Sequence, residues 1–147
     1  MRIQQSVDIE APPERIWPFF VEPEKVLKWC ITFQKFEHTG EQRGGVGTSF
    51  YVEEKASGPL MRLSFEVTEW VENERLAFRM TSRTSMVKAY EQTWALEPMP
   101  SGSTFTFMEE VQLRFGVLGS LMERMAKGRS EAAVEEMLGK LKSLAEA

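Results

Sequence analysis

The chain has 147 residues, of which 42% are hydrophobic and 27% charged, a balance typical of one globular domain, predicted over residues 1–147. It carries 18 lysines and arginines against 22 aspartates and glutamates and has no basic block, so nucleic acid is not an expected partner. The apolar stretches are shorter than the ~20 residues of a membrane span, and no basic-then-apolar leader opens the sequence. We therefore expect a cytoplasmic protein without integral membrane insertion.

Single copies of cysteine and histidine exclude several kinds of site within one chain. With only Cys30 and His38, a disulfide, a cysteine/histidine zinc site and a serine-histidine triad are not expected. The scattered acidic residues show no EF-hand spacing, and GGVG at 44–47 leads into strand-like sequence rather than a helix, which makes it a poor phosphate cradle. We predict no metal and no cofactor, and a buried or half-exposed, unreactive Cys30 because no activating base is evident beside it.

The first thirty residues predict a strand followed by two short helices. Val7 and Ile9 alternate with polar residues in the period of a half-buried strand. Pro13 suits the first turn of a helix, and the proline-containing segment 22–24 ends that helix and starts another that carries Trp29.

A long β region follows, in which apolar residues alternate and polar turns intervene. Strands are predicted at 33–36, 50–55, 61–67, 76–80, 87–96 and 105–111, with turns at 57–59, 72–74 and 82–85. Short turns between successive strands imply an antiparallel meander.

A helical period returns from about Phe115 to Ala147, with one apolar face. The apolar stripe thins at 127–130, where Gly128 would allow a kink, so either one helix or two helical segments are possible. The simplest way to bury this stripe and the inner face of the sheet is to curl the sheet around the helix, which encloses a space.

Five segments, by their order and spacing together, resemble a known family: VDIEAPPERIWPFFVEPEKVLKW (7–29), GVGTSF (45–50), FEVTEWVENERLAFRM (65–80), WALEPMPSGSTFTFMEE (94–110) and LGKLKSLAEA (138–147). In them the chain resembles the START-like superfamily (SRPBCC), specifically its polyketide cyclase/dehydrase-type branch. The resemblance implies an α+β helix-grip fold, START/Bet v1-like, in which a seven-stranded antiparallel sheet curls around a long C-terminal helix. It also implies two short helices between strands 1 and 2 and a cavity between sheet and helix. Members differ in task, so the fold alone does not choose a function.

Eleven residues are candidates for contact with a ligand in such a cavity. They are Trp29, Phe33, Phe65, Phe78, Met80, Tyr90, Trp94, Phe107, Glu109, Met122 and Met125. Trp29 and Phe33 belong to the segment expected to form one rim, while Met122 and Met125 would face the cavity from the helix. Simple core packing is the alternative for each apolar residue. Together with 10 phenylalanines, 4 tryptophans and 9 methionines in the chain, the set suits a flat or flexible apolar molecule.

No catalytic residue is assigned, but Glu109 and Tyr90 are candidates for an acid-base group. Glu109 shares the parity of Phe105 and Phe107, so it points inward if they do, and burial would raise its pKa and suit proton transfer. Alternatively, the strand ends or bulges there and leaves Glu109 solvated or paired with Arg79 or Arg129.

Tyr90 and Gln92 share parity with Trp94 and are able to offer a hydroxyl and an amide to a ligand. The alternative is a cross-strand hydrogen bond. Val87 and Ala89, on the opposite face, are also compatible with burial, so the inward face of this strand stays open.

These features predict a protein that binds a small hydrophobic or aromatic ligand, such as a lipid, polyketide-like or quinone compound, between sheet and helix. One alternative is a polyketide cyclase/dehydratase-like enzyme that uses a pocket carboxylate. Another is a co-chaperone-like interaction protein that uses an exposed sheet edge or helix face. Either a monomer or a homodimer is compatible with the sequence.

Overall fold

The computed structural model describes residues 1–56, 58–114 and 116–147. Ser57, in the turn predicted at 57–59, and Phe115, the predicted start of the last helix, lie outside these residues. The described strands are β1 (Arg2–Ile9), β2 (Phe33–His38), β3 (Ser49–Glu54), β4 (Met61–Val71), β5 (Arg75–Met80), β6 (Val87–Met99) and β7 (Gly102–Leu113). The described helices are α1 (Pro13–Ile16), α2 (Pro18–Val21), α3 (Pro23–Trp29) and α4 (Gly116–Glu146).

The strands form one antiparallel sheet in the order β1-β7-β6-β5-β4-β3-β2. Strands that follow one another from β2 to β7 are neighbours, as short connections favour, while β1 lies beside β7. This arrangement confirms the antiparallel meander and the helix-grip architecture that the sequence predicts.

Three prolines start the helices between β1 and β2. Pro13, Pro18 and Pro23 each occupy the first turn, where a missing N–H costs no helical hydrogen bond. The first predicted helix therefore consists of two single-turn helices that meet at Trp17, and α3 is the second. Trp17 and Phe20 are buried, so this segment covers part of the sheet's inner face.

The last helix, α4, continues through Gly128 as one element of 31 residues. Its second half buries Val134, Met137 and Leu141 and packs near β1 and α3. Its first half exposes Leu118 and other apolar side chains. The apolar stripe is thus buried in its second half only. Among the described residues, no helix is long and apolar enough to cross a bilayer.

Aromatic side chains fill the interior beneath the short helices. Trp29 lies edge-on to Trp94, with ring centroids 4.9 Å apart, and Phe78 lies edge-on to the same indole at 5.1 Å. Phe20 and Phe105 complete the contacts around these rings. Edge-to-face packing of this kind stabilises a core beyond the area that it buries. This part of the interior is closely packed, with a void of only about 20 Å³, and the larger open space lies elsewhere.

Candidate functional site

A cavity of about 400 Å³ lies between the sheet and the first half of α4. Its wall is mainly apolar. The sheet contributes Tyr90, Gln92, Phe107, Glu109 and Val111, and α4 contributes Met122, Met125, Ala126, Ala133, Val134 and Met137. A second pocket shares Arg129 and Ser130 with this cavity and is also bordered by Lys55, so two cations lie beside the cavity. Its size and lining are those of a small-molecule site.

Five of the eleven sequence candidates line this cavity, namely Tyr90, Phe107, Glu109, Met122 and Met125. The other six do not, and they are Trp29, Phe33, Phe65, Phe78, Met80 and Trp94. The structure places these six in or against the hydrophobic core.

Trp29 lies inside the core and not at the rim of the cavity. It is fully buried, and its indole N–H donates to the carbonyl oxygen of Phe19 at 2.8 Å. This bond and the contact with Trp94 hold the ring beneath the short helices. Because α3 turns the side chain toward the sheet, Trp29 has no surface left for a ligand in the cavity.

The remaining non-lining candidates pack on one another or on other core residues. Phe65 lies edge-on to Phe78 at 5.2 Å and pairs across β4 and β5 with Met80. Phe33 is buried and stacks against Phe36 at 6.4 Å. These residues pack in or against the hydrophobic core, which is the alternative considered for each apolar candidate.

The structure settles which face of β6 is inward. Tyr90, Gln92 and Trp94 are all buried on the inner face. The Trp94 indole N–H donates to Oε1 of Gln92 at 3.0 Å, and Nε2 of Gln92 donates to the Tyr90 hydroxyl at 2.8 Å. These polar groups therefore form a hydrogen-bonded series along one strand.

The series ends on Glu54, a buried carboxylate that was not among the sequence candidates. The Tyr90 hydroxyl donates to Glu54 at 2.9 Å from Oε1 and 3.1 Å from Oε2, and Thr32 Oγ1 donates to Oε2 at 3.0 Å. The sequence did contain a signal that Glu54 points inward, because Glu54 alternates in phase with the apolar residues Phe50 and Val52 in β3. We call the series Trp94, Gln92, Tyr90 and Glu54 the buried hydrogen-bond chain.

Glu109 lies directly opposite Gln92 in the pairing of β6 with β7, and it lines the cavity. Its side chain is half-buried. Among the described residues it forms no ion pair with Arg79 or Arg129. Arg79 sits opposite Glu66 in the pairing of β4 with β5, whereas Arg129 borders the cavity. Among the described residues, Glu109 is therefore a carboxyl group at the cavity wall that forms no ion pair, although the charge of the Met1 ammonium acts on it.

Burial makes both carboxyl groups weak acids. It raises the pKa of Glu54 to about 8, with a further rise from the charge of Glu109. It also raises the pKa of Glu109 to about 7, against the opposing effects of the Tyr90 hydroxyl and of the positive charge of the Met1 ammonium. Because each charge disfavours the other, the two carboxyls titrate as a pair. The pair consequently keeps a proton close to neutral pH.

Two neighbouring groups stay neutral for the same reason. Burial, with the charges of Glu109 and Glu54, raises the pKa of Tyr90 well above its ordinary value. Burial also raises the pKa of Cys30, which is fully enclosed, so this residue is a thiol rather than a nucleophilic thiolate. Within the described ranges, no group of three or more histidine, cysteine or acidic side chains is arranged to hold a metal ion.

Residues 1–146 match the family model described as polyketide cyclase / dehydrase and lipid transport. The uncharacterised protein Rv1546 of Mycobacterium tuberculosis is 24% identical over 136 residues, which cover 91% of this chain and 94% of that protein. The structure of TTHA0849 from Thermus thermophilus is similar with a TM-score of 0.80 and 22% identity, over 99% of this chain and 97% of that one. The Zhui aromatase/cyclase from Streptomyces sp. R1128 has a TM-score of 0.81 at 13% identity, over 99% and 93% of the two chains. At these identities the two structures show a shared fold.

Proposed function

The chain belongs to the polyketide cyclase/dehydrase and lipid transport family, and from that premise we propose that it binds a small hydrophobic or aromatic molecule between the sheet and α4. The observation that carries this proposal is the cavity of about 400 Å³, whose mainly apolar wall includes a few convergent polar groups. A lipid, a polyketide-like compound and a quinone all match this description. The cavity is partly open to solvent, so a ligand has a path of entry.

Methionines make the helix side of the cavity adaptable. Met122, Met125 and Met137 face it from α4, and Met61 and Met86 border it from the sheet side. Unbranched thioether side chains fill irregular spaces and rearrange around different shapes. A flat ring system or a flexible chain is therefore an appropriate occupant.

A pair of neighbouring alanines on α4 tests this proposal. Ala133 lines the cavity, whereas Ala132 is exposed on the outer side of the helix. Ala133→Phe should fill part of the cavity and weaken binding of the fluorescent apolar probe 8-anilinonaphthalene-1-sulfonate, while Ala132→Phe should bind it as the unmodified protein does. Native mass spectrometry of freshly purified protein should show a retained small molecule that Ala133→Phe lacks. Equal binding by both variants, or a protein that refuses every apolar probe, would count against the proposal.

A cyclase- or dehydratase-like enzyme is the second candidate, favoured by one observation. Glu109 presents a carboxyl group with a raised pKa to an apolar cavity, which is the environment of a general acid-base group. In that case Glu109→Gln should abolish turnover of an aromatic polyketide-type substrate while leaving its binding largely intact. Unchanged turnover would remove Glu109 from the mechanism.

A further inference from the structure

Exposed apolar side chains are concentrated on the first half of α4. Among the described residues, seven large hydrophobic side chains are exposed, and five of them lie between 117 and 125. Val117 is 90% exposed and Met125 is 75% exposed. Because Val117, Leu121 and Met125 are spaced by four residues, they form one row along the helix. We call Val117, Leu118, Leu121 and Met125 the outer strip.

The opposite face of this segment is held against the end of β7. Gly119 is buried, and a Cβ added to it would lie 3.4 Å from the Cβ of Leu113. The Glu123 carboxylate accepts hydrogen bonds from the backbone N–H of Leu113 and from the Met1 ammonium, both at 3.1 Å. The segment is therefore anchored by its inner face while the outer strip faces solvent.

Cations border the outer strip on both sides. By the helical period, Arg124 and Arg129 lie at its opposite edges, and Lys127 lies between them in the sequence. All three side chains are exposed, and none forms an ion pair with another described residue. Glu123 is the sole acidic residue of 116–130, and it is bound on the inner face. The outer surface of this segment consequently combines apolar side chains with positive charge.

The positive charge is local to this half of the helix. Residues 116–130 carry three cations and one acidic residue, a net charge of +2, whereas residues 131–147 carry two cations and four acidic residues, a net charge of −2. The exposed positions described from 131 to 143 have no large apolar side chain. A segment with an apolar strip and flanking cations is typical of helices that lie in the interface of an anionic bilayer.

We propose that the first half of α4 docks on an anionic membrane surface, with the outer strip among the acyl chains and its flanking cations at the lipid phosphates. A second copy of the chain fits this surface poorly, because a two-fold contact would bring Arg124 and Arg129 close to the same cations of the partner. A protein partner would need a groove that matches one convex helix, whereas a bilayer deforms around it. The proposal concerns the outer surface of α4 and does not depend on what the cavity binds.

Co-sedimentation with lipid vesicles tests this docking. At low salt, vesicles of phosphatidylcholine with about 30% phosphatidylglycerol should bind the protein at least about tenfold more tightly than vesicles of phosphatidylcholine alone. Raising the NaCl concentration to about 0.5 M should remove most of this preference, because salt screens the attraction between exposed charges. A protein that does not bind the anionic vesicles, or that binds both kinds equally at low salt, would overturn the proposal.

A pair of exposed valines tests the apolar contact. Val117→Ser should weaken binding to the anionic vesicles about fivefold, because it removes apolar surface that the bilayer buries. Val46→Ser, which changes an exposed valine in the loop before β3, should bind as the unmodified protein does. Equal losses in the two variants would contradict docking through the outer strip.

A pair of charge reversals on α4 tests the cations. Arg124→Glu should weaken binding to the anionic vesicles about tenfold or more. Lys140→Glu makes the same change of charge at an exposed position in the second half of the helix and should retain most of the binding. Urea midpoints close to that of the unmodified protein would confirm that all four variants are folded. An Arg124→Glu protein that binds as tightly as Lys140→Glu would overturn the proposal.

Two further outcomes would identify a different occupant. Binding to polyglutamate that Arg124→Glu abolishes and Val117→Ser leaves unchanged, in a protein that ignores vesicles, would assign this face to an acidic protein. A dimer in sedimentation velocity that Val117→Ser dissociates would assign it to a second copy of the chain. Either result overturns membrane docking.

Discussion

The Tyr90 hydroxyl lies 2.9 Å from Oε1 and 3.1 Å from Oε2 of Glu54, although β5 and β4 separate their strands in the sheet. Tyr90 crosses this gap over Phe65 of β4, whose ring lies edge-on at 5.3 Å. A direct bond across two intervening strands requires a strongly curled sheet, since adjacent strands are spaced about 4.8 Å apart. This bond therefore links the curvature of the fold to the polar end of the cavity.

Removal of the Tyr90 hydroxyl should destabilise the folded protein. Tyr90→Phe deprives Gln92 of its acceptor and Glu54 of one donor, so we expect the free energy of unfolding to fall by about 1 to 3 kcal/mol. Urea denaturation at pH 6 measures this change. Tyr51→Phe is the matched control, because it removes a tyrosine-carboxylate bond of 2.8 Å to Glu53 on the outer face of β3. Its cost should be about 0.5 kcal/mol, and equal losses in the two variants would contradict a special role for the buried bond.

The raised pKa values of Glu54 and Glu109 predict how stability depends on pH. Because the folded state holds protons that the unfolded state has released, the stabilisation is complete below about pH 4.5 and is lost as pH rises through about 7 and 8. Each retained proton contributes a slope of up to about 1.4 kcal/mol per pH unit. The slope should be smaller in Glu109→Gln than in the unmodified protein when urea midpoints are compared at several pH values.

Glu110→Gln provides the control for this measurement, since it removes an exposed carboxylate from the same strand. Its pH profile should parallel that of the unmodified protein. A Glu109→Gln profile with an unchanged slope would mean that Glu109 titrates normally in the folded protein.

The order of elements could be predicted because its signals are local. Alternating residues such as Val7 and Ile9 mark a strand, and prolines such as Pro13 mark helix starts, whatever the rest of the chain does. The cavity wall depends on the whole fold instead. Strand parity points Phe107 toward the interior, and Trp29 belongs to an apolar helix beside it, but neither pattern tells which part of the interior the short helices fill.

Glu54 shows the same limit of sequence-based prediction, because the sequence indicates its burial but not its partner. Its parity with Val52 places it inside, and an inward glutamate is a recognisable signal. Its main partner, Tyr90, is 36 residues away and reaches it only through the curl of the sheet. The hydrogen bond between Tyr90 and Glu54 depends on tertiary structure. The sequence therefore indicated Tyr90 and Glu109 as candidates but not Glu54, the carboxylate that Tyr90 binds.

Cys30 should react slowly with thiol reagents in the folded protein. It is fully buried, and burial together with the charges of Glu54 and Glu109 raises its pKa, so little thiolate is present or accessible. Labelling with 5,5′-dithiobis(2-nitrobenzoate) at pH 8 should proceed at a small fraction of the rate in denaturing urea. Ser120→Cys, with the new thiol at an exposed position on α4, should label rapidly in the folded state. Comparable native rates for the two cysteines would contradict the buried position of Cys30.

Two glycines with opposite environments test the packing of β1 against the turn that opens β7. Gly102 has φ +152°, and a Cβ there would collide with the carbonyl oxygen of Ile9 and lie 2.8 Å from the amide nitrogen of Ala11. Both contacts are with backbone, which is unable to rotate away, so Gly102→Ala should lower the free energy of unfolding by about 3 kcal/mol or more.

Gly139 lies within α4 with nothing near the position of an added Cβ. Gly139→Ala should raise the free energy of unfolding by about 1 kcal/mol, because alanine has the higher helix propensity. Urea denaturation of both variants measures the contrast, and a poor yield of folded Gly102→Ala beside a normal yield of Gly139→Ala agrees with it. A Gly102→Ala protein as stable as the unmodified chain would show that β1 does not approach Gly102 so closely.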